Sequence, residues 1–446
     1  MAAECHSRFR FQFQSKLRVE FDGGAITGDA GLVLLREFDE RLGLSADLKK
    51  LLIDERDRRY TRHSALELVR QRIYQIGAGY EDGNDADFLR DDPTMRAVVR
   101  KRDEPLASQP TLSRWENAAP WDSIHLFERQ GAEWYCRHGV ARRRRHPKEI
   151  LLDIDSSEDP THGQQPLSFY NGFYDSYMYH PLFIFEAEVG MLLASCLRPG
   201  NVGGIRQLLP QLRPLVTRLR ARFPRSTIAL RADGDFAKPP LLDYAEYAGC
   251  LYAFGMPRNP KLEERVEGLR QKAEQIWNSS GGKPVQLFTS FFYKANSWPH
   301  PRRIVAKAEY TKEGKNLRFV VTNRSEPAAE VFAWYNRRGQ AENFIKELKR
   351  DLCADRLSCS SYRANAFRMQ IHGLAYNLLV LFRRMVLCGT ELASATVDRV
   401  RRQLLKIGAR VQRSVRKIWL HLATGWPGQP LFLHVLDRLA EIRGPT

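Results

Sequence analysis

Three acidic residues lie far apart along the chain in patterns that could bind a divalent cation. Asp155 and Asp233 each end a short apolar run, so each is expected at the carboxyl end of a buried strand, where open α/β sheets place their ligands. Glu342 lies in a segment with helical apolar spacing. Mg²⁺ prefers oxygen ligands, and two such ions can activate the attacking oxygen and stabilise the leaving oxygen in phosphoryl transfer. The pattern therefore predicts a metal-dependent phosphoryl-transfer site.

A second aspartate stands two positions from each strand-end aspartate. Asp153 precedes Asp155 on the same face of its predicted strand, and Asp235 follows Asp233 after a glycine. We favour Asp155 as the ligand because it lies at the end of its strand. Asp153 and Asp235 stay open as alternative acids.

The residues around Glu342 predict a helix that carries cations and a phenol beside the carboxylate. At about 100° per residue, Tyr335, Arg338, Glu342 and Lys349 fall within roughly 60° of one another, next to an apolar stripe. A solvated amphipathic helix with i,i+4 ion pairs would show the same charges. The two strands that end in aspartate favour the interpretation as a site.

These residues resemble the Tyr-Arg-Glu-Lys signature of bacterial insertion-sequence transposases with a DDE active site. The strings Leu-Asp-Ile-Asp-Ser-Ser at Asp155 and Arg-Ala-Asp-Gly-Asp-Phe at Asp233 are similar to the first and second aspartate motifs of that family. Segments 159–165 and 370–377 look like the insertion-sequence 1380 group in particular. The resemblance covers the chain from about Leu17 to the C-terminal region.

The resemblance implies an RNase H-like fold and cut-and-paste transposition. It implies Mg²⁺-dependent cleavage (with Mn²⁺ as a substitute) at the ends of an insertion sequence, followed by strand transfer into target DNA. Asp155, Asp233 and Glu342 would be the catalytic, metal-binding residues. Tyr335 would position DNA phosphates together with Arg338 and Lys349. The implied partners are terminal inverted repeats, target DNA and a second copy of the chain in a synaptic homodimer.

Charge and composition favour a nucleic-acid partner. The 446 residues include 70 Lys and Arg against 52 Asp and Glu, a formal charge of +18. A membrane is not expected as a partner, because no run of about 18 apolar residues is present.

Seven scattered cysteines without a C-x-x-C pair, and an N-terminus without a signal peptide, predict a cytoplasmic protein. With the bacterial resemblance, we expect it at the nucleoid.

The sequence predicts an α/β protein with five regions. They are a mostly helical N-terminal DNA-binding region (1–147), the first part of an RNase H-like core (148–256), a β-rich insertion (257–327), the second part of the core with the Glu342 helix (328–386), and a basic C-terminal region (387–446). A short strand is expected at Leu17 to Phe21, and further strands are expected at 286–293, 303–310 and 316–322. Helices are expected at 334–349 and 363–386, and the secondary structure of 399–417 stays open.

Further DNA contacts are predicted outside the carboxylate site. Arg114 lies in a segment that resembles the start of a recognition helix, although an ordinary bundle turn explains it equally well. Trp298 lies in the predicted insertion, where relatives can hold a flipped base with an aromatic ring; packing on a strand edge is the simpler interpretation. The arginine run 142–145 and the basic segment 399–417 are candidates for phosphate contact.

Two other functions explain part of the sequence. A nuclease on the same fold would need the carboxylates but would not carry out strand transfer. A non-catalytic, sequence-specific DNA-binding protein would explain the charge but not the placing of three acids at strand ends and on a cation-rich helix.

Overall fold

A computed structural model describes residues 11–100, 104–140 and 146–442. The helices are α1 Leu32–Leu42, α2 Leu44–Leu48, α3 Ala65–Ala78, α4 Asp85–Leu89, α5 Pro93–Val99, α6 Gln109–Ala118, α7 Trp121–Trp134, α8 Leu208–Arg222, α9 Pro239–Tyr247, α10 Pro260–Arg265, α11 Glu267–Ser279, α12 Ala328–Asn336, α13 Gly339–Lys346, α14 Tyr362–Met385, α15 Val397–Val400 and α16 Gln429–Glu441. A 3-10 turn occurs at Arg58–Tyr60, and π-helical turns occur at Tyr135–Gly139, Glu347–Asp351 and Arg401–Leu405. The strands are β1 Ile26–Thr27, β2 Glu149–Ser156, β3 Asp159–Pro160, β4 Phe169–Asn171, β5 Ser176–Tyr179, β6 Leu182–Glu186, β7 Met191–Cys196, β8 Thr227–Ala232, β9 Leu251–Met256, β10 Val285–Tyr293, β11 Arg302–Thr311, β12 Gly314–Thr322, β13 Ala409–Arg413 and β14 Ile418–Leu422.

The chain divides into two compact units, and the first is built from both ends of the described chain. It combines Met1–Ala118 with Phe382–Thr446, whereas the second unit is Ala119–Leu381. In the first unit β1 pairs with β13, which pairs with β14, and Lys406 Nζ lies 2.7 Å from Asp29 Oδ1. The sequence treated 1–147 and 387–446 as separate regions, and these contacts between residues distant in sequence explain the difference.

The second unit contains a large mixed sheet in the order β10-β11-β12-β9-β8-β2-β6-β7. Its centre is parallel, with β8 lying between β2 and β9, and the pairings on either side of that centre are antiparallel. The α/β class predicted from the sequence is therefore confirmed. In the residues that the structure describes, no helix is both long enough and apolar enough to cross a membrane.

The strands predicted at 286–293, 303–310 and 316–322 are present as β10, β11 and β12. They extend the main sheet, because β12 pairs with β9 from Phe319↔Met256 to Thr322↔Ala253. Two helices, α10 and α11, precede them, so the region predicted as β-rich also contains helix.

Strand β2 is buried on both faces, which explains its nearly continuous apolar sequence. Ile150, Leu152 and Ile154 have no exposed surface. Asp153 is equally buried and lies directly opposite Arg231 of β8 in the parallel register. A charge buried in a sheet needs a partner of opposite sign, and the neighbouring strand supplies it.

The helix predicted at 363–386 is present as α14 and packs on the edge strand β7. Asn377 accepts a hydrogen bond from the Leu192 amide at 2.9 Å and donates one to the Leu192 carbonyl at 2.7 Å. Gln370 donates to the Ser195 carbonyl at 3.2 Å. These two polar residues belong to segment 370–377, and their hydrogen bonds attach the helix to the sheet.

Two local predictions were wrong. Leu17 to Phe21 forms no strand, and the side chains of Leu17, Val19 and Phe21 are exposed rather than packed. The helix predicted across 334–349 is divided into α12 and α13 by a turn at Arg337 and Arg338. The cause is a change to shorter hydrogen bonds, since the Arg338 amide donates to the Tyr335 carbonyl three residues back at 2.9 Å.

Candidate active site

Asp155 and Asp233 lie at the carboxyl ends of neighbouring parallel strands. β2 and β8 pair up to Ile154 and Ala232, and the two aspartates follow directly at positions 155 and 233. Asp155 is 7% exposed, and Asp233 is half-buried. The parallel pairing therefore brings together the two carboxylates that the sequence placed at strand ends.

Arg338 joins Asp155 to Glu342. Its guanidinium donates to Asp155 Oδ2 at 2.9 Å and to Glu342 Oε1 at 3.4 Å. The second oxygen of Asp155 accepts a hydrogen bond from the Ser156 amide at 2.9 Å. The Glu342 side chain is 53% exposed, so the cluster is buried at Asp155 and open to solvent at Glu342. The site thus has a shielded side and an accessible side.

Burial controls the charge of the aspartates. The pKa of Asp155 is raised to about 6; burial is the largest cause, the positive charge of Arg338 opposes it, and the negative charges of Asp233 and Glu342 add to it. Burial also raises the pKa of Asp233. Burial lowers the pKa of Arg338, but the nearby carboxylates, Asp155 foremost, outweigh that effect and raise it overall. The cluster therefore favours a positive charge placed among its carboxylates.

The two alternative acids have other partners. Both oxygens of Asp153 accept hydrogen bonds from Arg231, at 2.7 and 2.8 Å, and Arg231 also donates to the Trp334 carbonyl at 2.7 Å. Asp235 is exposed and accepts from the Gly204 amide at 2.6 Å. Asp153 thus links two strands to α12, and Asp235 fixes a loop.

Tyr335 lies beside the cluster, whereas Lys349 is bonded to the loop that follows β2. The Tyr335 side chain is half-buried, and a Cβ at Gly255 would come within 2.6 Å of its hydroxyl oxygen, so a larger residue at position 255 would displace the phenol. Lys349 donates to the Glu158 carbonyl at 2.7 Å and lies 3.7 Å from Asp355. Lys349 lies in the π-helical turn Glu347–Asp351, which interrupts the uniform helical spacing assumed from the sequence.

The remaining predicted DNA contacts differ in accessibility. Trp298 is only 4% exposed, because it packs against Tyr293 and beneath the Arg302 guanidinium. Its ring is therefore not free to hold a flipped base, and the packing interpretation fits the structure. Arg114 is exposed on α6, as a DNA contact requires. The arginine run 142–145 lies outside the described residues.

A cavity of about 500 Å³ opens next to the cluster, and its lining includes Tyr335, Arg338 and Glu342. Arg258 and Arg318 also line it, and the sequence analysis did not single them out. Arg318 is exposed on β12. A lone arginine in a strand gives no local signal, since only the pairing of β12 with β9 places it here.

The donor set suits a hard divalent cation, although Arg338 holds two of its members. Carboxylates are the ligands that Mg²⁺ and Mn²⁺ prefer, and here two come from strand ends and one from a helix. In residues 11–100, 104–140 and 146–442, no three Asp, Glu, His or Cys side chains are grouped closely enough to hold a metal ion. A metal would therefore have to compete with the guanidinium for Asp155 and Glu342.

Comparisons with known proteins place the chain in a family. A solved structure of a piggyBac transposase synaptic complex with hairpin DNA is similar at a TM-score of 0.44 and 12% identity, over 94% of this chain and 86% of that one. None of the curated proteins matches. A family profile described as "Transposase DDE domain group 1" matches residues 9–444, nearly the whole chain. The chain therefore belongs to the group 1 family of transposase DDE domains.

Proposed function

We propose that this chain is a cut-and-paste transposase that cleaves DNA at the ends of its own insertion sequence and joins them to target DNA. The observation that carries the proposal is the Arg338 guanidinium bonded to Asp155 and Glu342, beside Asp233 at the end of the adjacent parallel strand. Membership in a DDE transposase family supports it. We assign the sheet and its helices to an RNase H-like core.

In this proposal Asp155, Asp233 and Glu342 hold Mg²⁺ or Mn²⁺. When bound, the ions would activate the attacking oxygen and stabilise the leaving oxygen of the DNA phosphodiester. The chain itself contributes a buried aspartate held by the Ser156 amide, which orients one ligand oxygen before any ion arrives. Asp153 keeps β2 aligned with β8 through Arg231, so it positions the site without being a ligand.

The cations around the cluster would bind the DNA backbone. Arg338 would exchange its carboxylate partners for a phosphate, because both are anions that accept its paired N–H groups. Arg258 and Arg318 line the adjacent cavity and extend the same positive surface. Lys349, tied to the loop after β2, would neutralise a further phosphate, and the Tyr335 hydroxyl would orient one.

The wider setting is part of the proposal. We assign the chain to a bacterial element of the insertion-sequence 1380 type, acting at the nucleoid on its terminal inverted repeats. The N-terminal helical region, with Arg114 exposed, and the basic C-terminal region would recognise DNA. Two copies would hold the two ends in a synaptic complex.

The decisive experiment uses the full-length chain and a supercoiled plasmid that carries its gene with the native flanks. With Mg²⁺ we expect double-strand breaks at both flanks and joined products in a target plasmid, and no products in EDTA. Asp155→Asn, Asp233→Asn and Glu342→Gln should each reduce cleavage by at least about a thousandfold, as expected when a ligand to a catalytic ion is removed. Glu330→Gln, on the exposed side of α12, is the matched control and should cleave normally.

Four results would count against the proposal. Cleavage in EDTA would remove the metal mechanism, and cleavage by Glu342→Gln would remove the assigned ligand. Cleavage without joined products would identify a nuclease instead. Light scattering of the complex with two DNA ends should give two copies of the chain, and a single copy would contradict the synaptic dimer.

A further inference from the structure

Between β3 and β6, the chain forms a small hairpin rich in exposed aromatic rings. We call residues 167–177 the aromatic hairpin; it contains β4 and the first residues of β5. Its exposed large side chains are Leu167, Phe169, Tyr170, Phe173 and Tyr177. Phe173, at the tip, is 88% exposed. Exposed aromatic rings this dense are unusual on a protein surface and indicate a binding function.

The strand pairings place the base of the hairpin next to the carboxylates. Asp159 of β3 pairs with Tyr179 of β5, and Asp155 of β2 pairs with Phe183 of β6. The two pairs are four positions apart in the sequence on each side, from Asp155 to Asp159 and from Tyr179 to Phe183. Four residues span at most about 14 Å when extended. The hairpin therefore begins close to the end of the sheet that carries Asp155.

A loop between β7 and α8 holds the hairpin in place and connects it to the second aspartate motif. Asn171 donates to the Gly200 carbonyl at 2.8 Å, and a Cβ at Gly200 would lie 2.1 Å from the Met178 carbonyl oxygen. Further along this loop, the Gly204 amide donates to Asp235 Oδ2 at 2.6 Å. The hairpin is therefore packed tightly onto the loop that also supports Asp235.

The rings of the hairpin face two ways. Tyr174 turns inward, 5.9 Å from the His180 ring and half-buried, where burial and the negative charges of Asp155 and Glu158 raise the pKa of its hydroxyl. Tyr170 and Tyr177 lie opposite each other, with ring centroids 5.7 Å apart and both rings exposed. One side of the hairpin thus borders the carboxylates, and the other offers aromatic faces to solvent.

We propose that the aromatic hairpin is a stacking surface for unpaired bases of the DNA strand that lies in the carboxylate site. This inference rests on the proposed function, because it takes DNA as the occupant of that site. Bases have π faces that stack on aromatic rings whatever their identity, so unpaired bases next to the carboxylates would fit this surface. Phe173 and Tyr170 are the residues that we assign to stacking, and Trp298, buried in the sheet, is not accessible for it.

The test measures binding of the full-length chain in EDTA, so that neither cleavage nor metal enters the result. The probe is a duplex of about 25 base pairs with a short single-stranded overhang whose first unpaired position is 2-aminopurine, compared with a blunt duplex of the same sequence. The wild-type chain should bind the overhang probe about tenfold more tightly than the blunt one and quench its fluorescence, as stacking of one base on one ring predicts.

Variants at the tip of the hairpin distinguish aromatic stacking from simple apolar contact. Phe173→Tyr should keep the preference, whereas Phe173→Leu and Phe173→Ala should lose most of it while binding blunt DNA normally. Tyr247→Ala is the matched control, because Tyr247 is an aromatic residue outside the hairpin that is 91% exposed. It ends α9, which leads back from the Asp233 end of β8 to the start of the parallel strand β9. Unchanged quenching by Phe173→Leu would overturn the proposal. So would a change in the mass of the DNA-free protein in the Phe173 variants, which would identify the hairpin as a protein contact.

The same assay distinguishes this inference from the proposed function. Asp155→Asn should keep both the preference and the quenching, since neither needs catalysis. If the chain cleaves its plasmid but shows no preference for the overhang, only the stacking surface is wrong. If it prefers the overhang but never cleaves, the stacking surface stands and the proposed function fails.

Discussion

The Asp155 carboxylate combines burial with a single cationic partner, and this combination makes the stability of the protein depend on pH. Its folded pKa is about 6, above the ordinary value of 3.8, mainly because of burial. Between these values the folded chain holds a proton that the unfolded chain has released, so stability falls as pH rises through this range. Above pH 6 the cost in the metal-free protein is about 3 kcal/mol, from the difference between the two pKa values.

Asp155→Asn should therefore stabilise the metal-free protein at neutral pH. We expect a gain of up to about 3 kcal/mol in the free energy of unfolding at about pH 7.5, and almost none at about pH 4, where the native carboxyl is protonated. Thermal melts in EDTA at the two pH values measure this difference. Equal destabilisation at both would show that Asp155 contributes to the fold rather than to a site.

Asp153→Asn is the matched comparison, and it should behave in the opposite way. It breaks a fully buried ion pair and leaves Arg231 without its carboxylate partner. Loss of one member of such a pair costs about 3 to 5 kcal/mol. The protein should thus lose stability at neutral pH, where Asp155→Asn gains it, and the same melts check both variants.

The role of Arg338 as an internal counter-ion predicts how the site responds to calcium. Arg338→Ala leaves Asp155, Asp233 and Glu342 without this cation, so its melting temperature in EDTA should fall below that of the wild type. Ca²⁺ should then stabilise this variant more than the wild type, because the ion no longer competes with the guanidinium. Arg337→Ala, one residue away and exposed, is the control. Equal calcium shifts in all three proteins would contradict this role.

At the level of elements, the strands β13 and β14 form a hairpin with the charge expected of a DNA contact. The sequence left the secondary structure of 399–417 open, and the segment contains the end of α15, a π-helical turn and β13. Arg410, Arg416 and Lys417 are exposed there, whereas Arg401 is buried and donates to the Gly77 carbonyl at 3.1 Å. Arg401 is therefore a structural residue of the first unit.

Replacing Arg410, Arg416 and Lys417 together with Ala should weaken binding to any duplex. Each phosphate that the protein no longer neutralises reduces the slope of log affinity against log salt by about 0.9, so the slope should fall by up to about 3. Titrations at several salt concentrations with an unrelated duplex measure it. Arg402→Ala is the control, because Arg402 is exposed but paired with Asp398. An unchanged slope in the triple variant would place the phosphate contacts elsewhere.

Local pattern predicted most elements and placed the candidate acids Asp155 and Asp233 at the ends of strands. Alternation predicted β10 to β12, and apolar runs that end in aspartate predicted the ends of β2 and β8. The turn at Arg337 and Arg338 could not be predicted, because both residues keep right-handed helical dihedral angles and only the hydrogen-bond pattern changes. The ion pair between Asp153 and Arg231 could not be predicted either, because the two residues are 78 positions apart in the sequence.

At the scale of the whole molecule, the sequence did not predict which segments of the chain make up each of the two units. The first unit is discontinuous, and nothing in residues 1–118 indicates that their sheet partner lies beyond residue 400. Charge, by contrast, is a property of the entire chain, and the excess of 18 positive charges indicated the class of partner without any knowledge of the fold.

The pairing of β1 with β13 also sets an order of events during synthesis. Residue 27 is made 382 residues before its partner at 409. At about 5 to 20 residues per second, that is a delay of roughly 20 to 80 s. The unit that contains the carboxylate site, Ala119–Leu381, can fold while the first unit still lacks a strand.

We expect ribosome-bound chains halted before Ala409 emerges to resist protease across the second unit but not across Met1–Ala118. Equal resistance in both units would show that the early segment folds without its partner.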